Sequence, residues 1–380
     1  MDDESGGRGD FQPLVWREWS DKLDDLDRET GRRRDTEPPI RRAVAAGLLT
    51  GLLALGGLVY RAHTVTLMPG VAYAPAFRGA LEGPAAMLNA HDGQAFGSLA
   101  LDPLLSRGPT WTHGRATMAY RAGRPLLGWL VMLTSFGSTW LAQWSLVVWT
   151  AVGAGLLAAG ASLLAGLWGR RTEWIPLLLL LPGVFGQLLF GGLADGLAAG
   201  LALLGMVWWL QARDGRAIAA LSLAALGREA ALLVALALML GTALARARKL
   251  LVPFCVYAGW VGLVWLRLQT SPVQAGSGRL GVPFAGLVVG VRSWTWLEVV
   301  CAASVVSLAA IAFSRAPCPE VRWLGGLSVL FAATFGAEVW ESWDFTRPLL
   351  PVTVVGACLL ARETSDAADG REGFSREPAR

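Results

Sequence analysis

Charge is what this sequence has least of. Asp, Glu, Lys and Arg make up 16% of its 380 residues and hydrophobic residues 54%, against roughly 25% charged in a soluble domain. With a mean hydropathy of +0.46, this excludes an ordinary soluble chain and indicates a polytopic membrane protein. Cysteine is scarce and scattered: Cys255, Cys301, Cys318 and Cys358 form no CxxC pair. That excludes a thiolate metal site and a disulfide framework, and leaves the four as packing residues. No Walker motif, Ser-His-Asp constellation or internal repeat is present. The run Gly276-Ser277-Gly278-Arg279-Leu280-Gly281 matches GxGxxG, but it lies between apolar runs rather than between a strand and a helix, so dinucleotide binding is excluded. The net charge of +4 is small. Its arginines cluster at the ends of apolar runs, which is an orientation signal rather than a nucleic-acid footprint.

What the chain does have is a succession of apolar runs. Residues 1–42 form a polar tail ending in Arg41-Arg42, and residues 363–380 form a second polar tail. Between them, residues 43–362 read as one all-α transmembrane bundle. Its spans are expected near 43–60, 139–168, 174–191, 194–211, 215–227, 230–245, 250–268, 294–313, 324–340 and 348–361. The first run is followed by no small-residue cleavage pattern, so it is expected to remain as a span with its N-terminus in the cytoplasm. Several runs are shorter than the ~20 residues that cross a bilayer unaided, which suits helices that end in a water-filled cavity. The run Pro125–Phe136 is decisive. Taken as a short membrane-dipping helix, it leaves ten crossings and places Arg170-Arg171, Arg213/Arg216, Arg246/Arg248/Lys249 and Arg315/Arg322 inside, as the positive-inside tendency requires. Both termini are then cytoplasmic.

This register gathers ionisable residues at the outer ends of the spans: Asp195, Arg228-Glu229, Glu298, Glu338, Glu341, Asp344 and Arg347. Charges within membrane segments are costly and mark functional sites by default. They share a face with the long polar loop 61–124, which holds Asp92, Gln94, Asp102, Arg121 and Arg124. A carboxylate such as Asp92, beside Gly93 and just outside the membrane, can take a proton from a hydroxyl; alternatively it caps the helix that opens at Gln94. Asp102-Pro103 has the same two readings. Arg121 and Arg124, before an apolar run, suit a lipid-linked phosphate, or simply snorkel to headgroups. Arg228 and Glu229 either pair with each other or face a cavity. Gly192, Gly196 and Gly200 form a small-residue face for close helix approach, with Asp195 beside it. His63, His91 and His113 all fall in the outer loop, but their spacings match no ligand signature. No cofactor is therefore expected, the alternative being a divalent metal held by these histidines with Asp92.

The order of these pieces resembles the GT-C class of integral membrane glycosyltransferases, mannosyltransferase-like members included. A first span is followed by an outer loop with an acidic Asp92-Gly93-Gln94 motif. Tyr120-Arg121 and Arg124-Pro125-Leu126-Leu127 then open a short helix. Leu193-Ala194-Asp195-Gly196, Gly227-Arg228-Glu229 and Arg347-Pro348-Leu349-Leu350 follow in the same order, and the resemblance covers roughly residues 40–362. It implies transfer of a sugar from a polyprenyl-phosphate carrier to a glycan, lipid or protein acceptor, on the outer face of the cell membrane, with inversion. Asp92 would be the general base, with Gln94 and Asp102 beside the acceptor. Arg121, Arg124, Asp195, Arg228, Glu229 and Arg347 would surround the donor phosphate. The loop lacks the tandem acidic pair of the commonest family pattern, since Asp92 stands between His91 and Gly93. The large soluble C-terminal domain of some members is not expected either, the last residues reading as a short polar tail. Two rival readings remain, a transporter or lipid flippase and a non-catalytic membrane scaffold.

Overall fold

The computed structural model describes residues 40–64, 84–89, 92–107, 115–276, 279–340 and 343–361. The expected tails, apart from residues 40–42, lie outside the described residues, as do His91, His113 and Glu341. Among the described residues the secondary structure is helical, with one isolated bridge between Leu280 and Phe335.

In chain order the helices are α1 (Ile40–Thr64), α2 (Ala85–Asn89), α3 (Gly93–Leu101), α4 (Arg115–Ala122), α5 (Pro125–Ser135), α6 (Thr139–Leu167), α7 (Pro182–Phe190), α8 (Asp195–Leu210) and α9 (Asp214–Gly227). They continue with α10 (Leu232–Leu240), α11 (Leu244–Leu268), α12 (Pro272–Ala275), α13 (Ala285–Gly290), α14 (Trp296–Ser314), α15 (Pro319–Ala333), α16 (Ala337–Trp340) and α17 (Leu350–Leu360). Four of them, α1, α6, α11 and α14, are long and apolar enough to cross a membrane. The others are shorter. At 1.5 Å per residue, α8 is about 24 Å long, α9 about 21 Å, and α5 and α17 about 16 Å each, all less than a ~30 Å hydrocarbon core.

Glycines set how these helices meet. A Cβ on Gly153 of α6 would lie 2.6 Å from the Leu197 amide nitrogen of α8, and one on Gly200 of α8 would lie 2.6 Å from that of Leu157. The two helices therefore run parallel in backbone contact, Gly153 beside Leu197 and Leu157 beside Gly200. On the other side of α6, a Cβ on Gly47 would meet the Gly155 carbonyl at 2.9 Å, and one on Gly51 the Ala151 carbonyl at 3.4 Å, so α1 runs antiparallel to α6. Gly200 thus packs as the small-residue pattern predicts. Gly192 does not. It lies in the turn before α8 with φ +59°, where an added Cβ would strike the Gly93 Cα at 2.7 Å. Its role is to bring the turn before α8 against the turn that carries Asp92.

These contacts place Asp195, at the start of α8, level with Gly51 in the middle of α1. Ten residues separate Gly51 from Arg41 and ten from Arg61, about 15 Å in each direction. The expectation placed Asp195, Arg228 and Arg347 at the outer ends of runs several of which are shorter than a bilayer. They sit where short helices stop partway along the long ones. The helix α5 starts at this level and leads away to the left-handed turn Phe136-Gly137 (φ 48° and 79°), from which α6 returns with Ser138 as N-cap.

A test follows for the close packing. Gly200→Leu, forced against backbone, should cost about 1–3 kcal/mol by overpacking, read as a lower thermal midpoint of the detergent-solubilised protein. Gly57→Ala, where nothing lies within 4 Å of the new Cβ, should leave the midpoint unchanged.

Candidate functional site

Five helix ends, of α3, α4, α5, α8 and α9, and the turn before α17 bring their charges together around Asp195. Asp195 itself, 1% exposed, accepts from Arg347 at 2.9 Å (Nε) and 2.8 Å (Nη2) and also pairs with Arg228 Nη1. Arg347 extends this to two further carboxylates, Asp344 at 3.3 Å and Asp92 at 3.5 Å. Asp92 is bound more tightly by Arg121, at 2.6 Å. A second unit lies alongside. Arg124 grips Glu229 with both arms, at 2.7 Å and 2.5 Å, and donates to the Tyr120 hydroxyl at 2.6 Å.

The local backbone explains why these side chains converge. Arg228 occupies an extended residue (φ −161°, ψ 130°) that breaks α9 from the turn of 3-10 helix Glu229–Ala231. That break sends Arg228 and Glu229 to different partners, so the two do not pair with each other. The α4–α5 junction is pinned by α11: the Trp260 indole donates to the Ala122 carbonyl at 2.6 Å and packs edge-on against Trp129. The segment Trp343–Thr346 is held by the ring stack of Trp294, Trp340 and Phe345. A Cβ on Gly183 of α7 would press on the Thr346 carbonyl at 3.0 Å, so α7 braces the turn that carries Arg347.

The two aspartates of the loop part company. Asp92 stands at the N-cap of α3 but makes no side-chain cap bond; its carboxylate turns to Arg121 and Arg347 instead. Asp102 does the reverse. One oxygen accepts from the Ser106 amide at 2.8 Å and the Ser106 hydroxyl at 2.7 Å, and the other from the Arg107 amide at 2.8 Å. It is a buried turn-forming residue outside the ion cluster, which corrects its assignment to the site. Gln94 lies half-buried in the first turn of α3, two residues from Asp92. Glu298 caps α14 through Thr295, and Glu338 is exposed on α16; both sit apart from the cluster's ion pairs. His63 is exposed, 6.3 Å from the Trp144 ring. Among the described residues, no three His, Cys, Asp or Glu side chains form a group that could hold a metal.

Beside the ion pairs opens a cavity of about 170 Å³. Its lining carries four guanidiniums (Arg124, Arg228, Arg279 and Arg347) and two carboxylates (Glu229 and Asp344); Tyr120, Tyr257, Pro272, Val273, Leu280, Phe331, Phe335 and Val339 supply phenolic and apolar surface among them. Sequence reasoning missed Tyr120, Tyr257 and Arg279. The signal for Arg279 was an arginine inside a glycine-rich loop between apolar runs, set aside because the motif failed as a nucleotide fingerprint.

Burial by itself would raise the Asp92 pKa, but the guanidiniums of Arg121 and Arg347 outweigh it and hold the carboxyl at about 2. In this arrangement Asp92 is a fixed anion that orients two arginines. It gains basicity only when they turn to another anion.

No protein-family model matches the chain, and no curated protein or solved structure shows detectable similarity to it.

Two outcomes are expected. Asp195→Ala leaves the buried Arg228 guanidinium without its carboxylate and removes the shortest of the Arg347 pairs, and should cost about 3–5 kcal/mol. Asp214→Ala, which breaks the half-exposed pairs with Arg246 and Lys249 at 2.8 Å, should cost at most about 1 kcal/mol. Thermal midpoints in detergent rank the two. The second concerns pH. The folded pKa of Asp92 lies below the ~3.9 of an unfolded aspartate, so its stabilising contribution is present above about pH 4 and lost as pH falls through about 2. The gap in midpoint between wild type and Asp92→Asn should be open at pH 6 and narrow towards pH 2.

Proposed function

We propose that this protein is a GT-C-like membrane glycosyltransferase, moving a sugar from a polyprenyl-phosphate carrier to an extracytoplasmic acceptor with inversion. The observation that carries the reading is the cavity beside the ion cluster, where four guanidiniums outnumber two carboxylates among apolar side chains. The excess of guanidiniums suits a phosphate, the apolar lining suits a prenyl chain, and Asp92 is joined to the cavity through Arg347.

The architecture supports a site reached from within a bilayer. With α1 as a span, the ion cluster lies near the middle of the hydrocarbon slab. Charges at that depth are tolerated facing a cavity. The opposite ends of the short helices carry Arg170, Asp214, Arg246 and Lys249, with Arg170 donating to the Ala361 carbonyl at the end of α17. Positive-inside orientation assigns that basic end to the cytoplasm, and with it both ends of the ten-run bundle. The cavity then opens towards the outer side.

In the reaction, the acceptor hydroxyl forms a bond to the anomeric carbon as the bond from that carbon to the phosphate oxygen breaks. The hydroxyl proton passes to Asp92, and the bonding electrons leave with the polyprenyl phosphate, which gains a negative charge. The donor phosphate supplies the condition for this step. By drawing Arg347 towards itself it loosens the hold on Asp92, and the carboxylate becomes a better base. The arginines of the cavity wall then stabilise the charge developing on the leaving phosphate.

A lipid-phosphate flippase is the rival that one observation favours, because the carboxylate of Asp92 sits behind Arg347 rather than on the cavity wall. Purified protein in proteoliposomes, given a radiolabelled polyprenyl-phosphate sugar and candidate acceptors, separates the two. Asp92→Ala should lower transfer by 10²-fold or more while the protein still folds. Full transfer in that variant would sink the assignment, and movement of lipid between leaflets without a new glycosidic bond would establish the rival.

A further inference from the structure

Among the described residues around the cavity, guanidiniums outnumber carboxylates. Arg121, Arg124, Arg228 and Arg347 each pair with a carboxylate drawn from Asp92, Asp195, Glu229 and Asp344. A fifth guanidinium, Arg279, makes no ion pair with any described residue. Among the described residues, five guanidiniums thus stand against four carboxylates.

Arg279 is nonetheless held in place. Its carbonyl accepts from the Gly336 amide at 2.7 Å, and its loop is tied to the end of α15 by bonds from Gly281 to the Thr334 carbonyl (2.8 Å) and from Phe284 to the Ala333 carbonyl (2.7 Å). Behind it, a Cβ on Gly276 would meet the Tyr120 ring at 3.0 Å, so the loop lies directly on that ring. The guanidinium stands 4.6 Å from the centre of the Tyr120 ring, which also has Arg124 at 4.5 Å and Arg121 at 4.7 Å. Three cations crowd one ring, and only two of them have a carboxylate. Like charges so placed repel one another, and an anion in the cavity relieves that repulsion. A cation left unpaired beside an apolar wall is an incomplete ion pair, and the ligand completes it.

We propose that Arg279 is the residue that recognises the anionic group of the ligand, and that its single uncompensated charge selects a singly charged phosphodiester, the linkage in a lipid-phosphate sugar, over a diphosphate. This rests on the lipid-phosphate reading of the cavity. The other four arginines are already paired with carboxylates, and even Arg347 turns to the phosphate only by loosening its own pairs. Arg279 supplies the net attraction for the ground-state ligand. A doubly or triply charged diphosphate would leave the cavity with excess negative charge among four carboxylates.

The test is direct binding to the full-length protein in nanodiscs, with four probes: geranylgeranyl methyl phosphate as a monoanionic diester, geranylgeranyl diphosphate, uncharged geranylgeraniol, and inorganic phosphate. Wild type should bind the diester more tightly than the other three. Arg279→Gln should weaken the diester at least 10-fold, down to the affinity of geranylgeraniol, whose own binding stays unchanged. Arg279→Lys should recover part of the difference. Unchanged diester binding in Arg279→Gln would overturn the proposal, as would a wild type that prefers the diphosphate. If wild type binds inorganic phosphate as well as the diester, the ligand is a free phosphate rather than a lipid. If the diester binds no better than the alcohol in any variant, the lipid-phosphate reading itself falls. Sugar transfer lost in Asp92→Ala, with diester binding retained, keeps the two claims separate.

Discussion

A single carboxylate, that of Asp195, holds two arginines from distant parts of the chain. Arg228 reaches it from the break after α9, and Arg347 from the turn before α17. Removing such a group from water is expensive, and the expense is offset only where partners surround it. The pairing therefore fixes three helix ends at one level and makes their positions interdependent. Arg347 then transmits that order to Asp92, so the loop between α1 and α5 is registered against the bundle by charge as well as by packing.

Close backbone approach makes the pairing geometrically available. Gly153 and Gly200 let α6 and α8 touch, and Gly47, Gly51 and Gly155 do the same for α1 and α6. These contacts set the heights of the helices relative to one another. Because α8, α9 and α17 are too short to match α1 and α6, their charged ends stop midway along the long helices. The cavity occupies space that longer helices would have filled. Gly192, with its left-handed backbone, closes the arrangement by letting the turn before α8 rest on Gly93, next to Asp92.

Much of the fold was legible in the chain. The ten apolar runs correspond to helices or broken helices, since hydrophobic length and glycine or proline punctuation act locally. The Asp92, Arg121, Arg124, Asp195, Arg228, Glu229 and Arg347 set was legible too, because ionisable residues are rare enough in an apolar chain to stand out. The pairing was not. Arg228 and Glu229 are sequence neighbours with separate partners, and Asp92 and Asp102 look alike on paper. One turns to Arg121 and Arg347 while the other satisfies its own turn. Arg279 was overlooked because its loop was weighed as a nucleotide motif and not as a rim.

The sequence by itself determined the class of this protein, the position of its helices and the short list of charges able to do chemistry. Those properties depend on composition and on neighbours within a few residues. Tertiary structure alone decided which carboxylate meets which guanidinium, how far along the long helices the cluster lies, and which arginine finds no carboxylate among the described residues. These depend on contacts between residues as much as 152 positions apart, as with Asp195 and Arg347, and on helix heights set by glycine contacts that no local pattern specifies.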